Sequence, residues 1–61
     1  MTDLEAIDIA EGIVEPRDEE EYYAAWQHLI DRGLAWNLQG WFGRTAMRLI
    51  LHGHCRHPDA A

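Results

Sequence analysis

The stretch Trp36-Asn37-Leu38-Gln39-Gly40-Trp41-Phe42-Gly43-Arg44 carries two of the three tryptophans, the only phenylalanine and two of the five glycines in 61 residues. No other segment offers as much apolar surface, so a core forms around it or nowhere. A chain this short buries only about 60% of the surface its unfolded form exposes, which leaves little margin without a disulfide, a metal or a partner chain. Cys55 is the only cysteine, so an intrachain disulfide is excluded. Self-association is then the simplest way to finish the core, and the apolar content predicts a homo-oligomer.

Helical patterns frame the aromatic segment. Asp18 is a good N-cap with Glu21 three residues on, and Glu19, Glu20 and Glu21 put negative charge where the helix dipole favours it. Tyr22, Tyr23, Trp26, Leu29 and Ile30 then recur at helical spacing. Gly33 supplies a left-handed stop, so a helix is predicted over about 19–32. Leu34-Ala35-Trp36 reads as a short apolar connector, and Asn37 as the cap of a second helix over about 38–52, stopped by Gly53. That second helix is apolar on most of its surface. Its polar stripe is Arg44, Arg48 and His52. Gly40 and Gly43, with Ala46, form a small-residue surface suited to close packing.

The first 15 residues fit two descriptions. Thr2-Asp3-Leu4-Glu5 has the form of a capping box and would start a short helix. Ile7, Ile9 and the Ile13-Val14 pair also suit an extended arm, and Gly12 weakens a helix. Pro16 separates this arm from the body. The expected fold is a single all-α domain over 1–61, an αα-hairpin with an arm or short helix at 1–15 and an irregular, solvated tail at 54–61. Its core or interface would be Trp26, Leu29, Trp36, Trp41 and Phe42.

Charge is polarised along the chain. Residues 1–31 hold ten carboxylates against Arg17, and residues 32–61 hold four arginines and three histidines against Asp59. The two halves are expected to neutralise each other within or between chains, or to leave an acidic face for a basic partner. No run of about 18 apolar residues is present, so no membrane span is expected. The N-terminal stretch lacks a basic and then apolar leader, and the free cysteine fits a reducing compartment, so a cytoplasmic location is expected.

Metal-ligand residue types cluster only at His52, His54, Cys55 and His57. Imidazole and thiolate suit zinc, but zinc sites usually draw two ligands from each of two segments, and only His28 lies elsewhere. Cys55 as a nucleophile would need a pocket that a chain end does not offer. A helix, a Gly turn and a second helix with Arg44 and Arg48 evokes helix-turn-helix DNA binding. The second helix carries Trp41 and Phe42 where base-reading polar groups belong, and the acidic half repels phosphate. No phosphate loop or Ser/His/Asp set is present, and no enzyme activity is expected.

The run Ala25-Trp26-Gln27-His28-Leu29-Ile30-Asp31-Arg32-Gly33 and the aromatic segment after it resemble a recurrent pattern in small proteins of tailed bacteriophages and prophages, A-W-x-x-L-I-D-x-G-x-x-W-x-L-Q-G-W-F-G-R. The likeness spans about residues 22–55 and leaves out the N-terminal arm and the His-rich tail. It implies a phage or prophage accessory protein and supplies no catalytic residues. Together these features predict a non-enzymatic module that binds a host or phage protein through its acidic half or through Arg44 and Arg48. A zinc-binding tail is the alternative, and nucleic-acid binding a weaker one.

Overall fold

The computed structural model describes residues 1–58. Four helices follow in order: α1 (Asp3–Ala10), α2 (Glu19–Asp31), α3 (Leu34–Asn37) and α4 (Gly40–Leu51). The all-α expectation holds, with no strand among the described residues.

The N-terminal segment resolves as a helix, for the reason its capping box gives. The Glu5 backbone N–H donates to the Thr2 hydroxyl at 3.1 Å, and the Thr2 N–H donates to the Glu5 carboxylate at 2.7 Å. Gly12 does not weaken this helix. It ends it, at φ +80°, with the Gly12 and Ile13 N–H groups donating to the Ile9 and Asp8 carbonyls. Gly53 closes α4 in the same way, with Gly53 and His54 donating to Ile50 and Leu49.

Asp18 caps α2 as its position predicts, accepting from the Glu21 N–H at 2.9 Å. The box is only half formed, because the Glu21 carboxylate reaches past the cap to Arg17. It takes the Arg17 backbone N–H at 3.0 Å and the guanidinium Nε at 2.9 Å. Gly33 sits at φ +74° after α2. The connector then turns helical as α3, which corrects the simple hairpin. Asn37 closes α3 by donating from its side chain to the Gly33 carbonyl at 3.0 Å, so it is not the cap of α4. Leu38 is extended, Gln39 takes the cap position, and α4 starts at Gly40 rather than at Leu38. Gly40 therefore stands at a helix start, where the penalty for an interior glycine does not apply.

α2 is the central element. Asp3 at the start of α1 meets His28 and Arg32 at the end of α2, so the two run antiparallel. α4 returns along another side of α2, with Phe42 against Trp26 and the segment after α4 reaching Tyr23. Trp26, Leu29 and Ile30 are the largest fully buried side chains, joined by Ala6 and Ile9 from α1, Ala35 from α3 and Phe42, Ala46 and Leu49 from α4. Large rings make the α2–α4 contact. Trp26 lies edge-on to Trp41 at 6.2 Å and tilted against Phe42 at 5.7 Å, while Trp41 and Phe42 stack at 3.9 Å.

The link between α1 and α2 is electrostatic as well as apolar. Asp3 accepts from Arg32 through both carboxylate oxygens at 3.2 Å and lies 2.7 Å from His28 Nε2. The hydrogen bond to His28 first, and the Arg32 guanidinium second, hold the Asp3 carboxyl below its ordinary value of 3.8. Glu5 is likewise lowered from 4.5, chiefly by the Thr2 backbone N–H. A carboxylate with a depressed folded pKa stabilises the fold fully above its unfolded value and stops doing so as pH falls through the folded one. Acidification below the ordinary carboxylate range is therefore expected to loosen α1. Amide hydrogen exchange at Ile7–Ala10, compared between Asp3→Asn and the parent protein, checks this. The variant should show α1 already loosened at neutral pH, with only the Glu5 part of the response left on acidification.

Candidate interaction surface

α3 and α4 place an exposed apolar face beside a basic one. Trp36 is 42% exposed, Met47 41% and Leu51 77%. Trp36 thus stands outside the core that the sequence suggested for it, while Trp26, Leu29 and Phe42 are buried and Trp41 is partly covered. The indole of Trp36 lies over Gly43, where a Cβ would meet its ring at 3.5 Å and the Ala35 carbonyl at 3.6 Å. Gly43 is therefore the floor under Trp36, and an alanine there would make ordinary contact. An open groove runs along Trp36, Gly43, Met47 and Leu51, with Arg44, Arg48 and His52 on its walls.

The predicted stripe of Arg44, Arg48 and His52 is real and sits along this groove. Both arginines are exposed, and neither makes an ion pair among the described residues. Among the described residues one ion pair joins the two halves of the chain, Asp3 with Arg32, while Asp3–His28 and Arg17–Glu21 lie within the acidic half. No carboxylate among the described residues lines the groove.

The His/Cys cluster does not gather. Among the described residues no three His, Cys, Asp or Glu side chains are placed to hold a metal ion. His52 lies on the groove wall. His54 stacks flat on Tyr23 at 4.4 Å, with 2° between the ring planes. Cys55 is buried and its thiol donates to the Tyr23 carbonyl at 3.7 Å. Burial, and then the Asp31 carboxylate, push this thiol above its ordinary 9.0, the opposite of what a nucleophile or thiolate ligand needs. His57 is exposed.

Residues 54–58 are irregular and, apart from Cys55, exposed, as expected of this tail, but these contacts tie the segment to α2; residues 59–61 lie outside the described residues. The Gln27 side chain holds Arg56 from both sides, accepting its N–H at 2.7 Å and donating to its carbonyl at 2.8 Å. The aromatic–His stack and the glutamine clamp join residues far apart in sequence, and no local pattern signals either.

No helix among the described residues is long and apolar enough to cross a membrane. No curated protein matches the chain, and no solved structure does. A family described as a domain of unknown function (DUF7417) matches residues 1–60, and the chain belongs to that family.

Proposed function

We propose that this domain is a non-enzymatic protein-interaction module that docks through the α3–α4 face. The observation that carries this reading is the exposed trio Trp36, Met47 and Leu51 beside two arginines that have no ion-pair partner among the described residues. An apolar centre with a charged rim is how binding surfaces combine contact energy with orientation. The resemblance to small phage and prophage proteins supports an accessory role of that origin, exercised in the host cytoplasm.

The module reading predicts that Arg44→Glu/Arg48→Glu loses its partners while keeping its fold, since both side chains are exposed. Proteins retained by the immobilised parent domain would be purified and titrated against both forms. Charge reversal at the rim should weaken binding by about tenfold or more, with the parent's affinity falling as salt rises. Equal affinity for both forms would remove the stripe from the docking surface, and retention of no protein by the parent would end the module reading.

A further inference from the structure

A second exposed apolar surface on this chain carries the opposite charge. After α1 the backbone folds back on itself, and the Ile13 and Val14 N–H groups both donate to the Asp8 carbonyl, at 2.9 and 3.2 Å. Gly12, at φ +80°, makes this turn possible. The result is a projecting pair, Ile13 at 69% and Val14 at 47% exposure, held by the backbone rather than loose. Glu11 and Glu15 flank it, both exposed and neither in an ion pair or side-chain hydrogen bond among the described residues.

We infer that the occupant of the α4 groove is a second copy of this chain, which inserts Ile13 and Val14 between Trp36 and Met47 and sets Glu11 and Glu15 against Arg44 and Arg48. The inference rests on the α3–α4 face being a docking surface. Three observations favour this occupant. Glu11 and Glu15 on one surface and Arg44 and Arg48 on the other are opposite in charge, exposed, and without an ion-pair partner among the described residues. The apolar knob is already ordered, so little chain entropy is lost on insertion. A twofold pairing of α4 on α4 would instead use the same patch on both copies, and that patch carries arginines and no carboxylate among the described residues. Knob and groove are different patches, so a single contact is head-to-tail, and a twofold pair would have to make it twice. Each bound pair still offers one free knob and one free groove, and the assembly grows into a ring or a short open chain. The contact is small, so association is weak and concentration-dependent.

The experiment uses the full chain and two surface variants, Arg48→Glu and Ile13→Arg, each checked for unchanged helicity by circular dichroism. In sedimentation velocity at low salt, the parent's mean mass should climb above 7.1 kDa between about 10 µM and 1 mM. It should fall back towards the monomer at about 0.5 M salt. Each variant alone should stay monomeric, because one lacks a groove and the other a knob. An equimolar mixture of the two should form a dimer of twice the monomer mass, since each retains the half that the other has lost. A parent that is monomeric throughout overturns the proposal, as does a mixture that stays monomeric or an Ile13→Arg protein that still pairs with itself. A monomeric parent leaves the wider module reading to be decided by the titration with captured proteins.

Discussion

Replacing Trp26 by alanine is expected to remove half or more of the domain's stability at 25 °C. Trp26 is fully buried and touches Trp41 and Phe42, so its loss empties the junction between α2 and α4. Large-to-small truncation of a buried aromatic costs about 3–5 kcal/mol. A chain of this size has a total stability of roughly 3–9 kcal/mol at the usual 0.05–0.15 per residue, so the substitution removes half or more of it. Urea titration followed by far-ultraviolet circular dichroism measures this directly. Trp26→Phe is the informative partner variant. It keeps a ring in the site and removes the indole N–H, a buried donor that finds no acceptor among the described residues. Its expected loss is about 1–2 kcal/mol, because a smaller cavity is offset in part by relief of the unpaired donor. A Trp26→Ala protein as stable as the parent would mean that the aromatic junction does not hold the fold.

Removing the segment after His52 is expected to be the next most damaging change, at about 3 kcal/mol. Two hydrogen bonds between Gln27 and Arg56 disappear, each worth about 1 kcal/mol. The stack of His54 on Tyr23 adds about 0.5–1.5 kcal/mol. The last turn of α4 also loses the N–H groups of Gly53, His54 and Cys55 that satisfy the Ile50 and Leu49 carbonyls. A shortened chain should show a lower urea midpoint and faster amide exchange at Ile50 and Leu51. Gln27→Ala alone should give roughly 1–2 kcal/mol of the same loss by deleting both Arg56 bonds. Unchanged stability after truncation would return this segment to the solvated status that its composition suggests.

The caps were readable because they are local. Thr2 with Glu5, Asp18 with Glu21, and Gly33 and Gly53 at helix ends act over three or four residues, and the structure places each where its chemistry requires. Gly12 obeys the same rule. Its role as a helix stop was hidden because Ile7, Ile9 and Ile13 also suit an extended chain, and only packing of Ala6 and Ile9 on α2 decides between the two. The start of α4 was misplaced because Asn37 can serve two turns, and α3 claims it through the Gly33 carbonyl.

By itself the sequence determined the helical class, the position of α2 and the existence of the Arg44–Arg48–His52 stripe, since these follow from residue spacing and short-range hydrogen bonding. Tertiary structure decided which aromatic stays outside. Trp36 and Trp26 have the same side chain, but α3 turns one onto Gly43 at the surface while α1 and α4 close over the other. It also decided the fate of the His/Cys segment, because Tyr23 and Gln27 lie about 30 residues away in sequence and only the return of α4 along α2 brings them to His54, Cys55 and Arg56. Spacing within a helix can be read from a single chain, whereas burial depends on which helices come to lie against it.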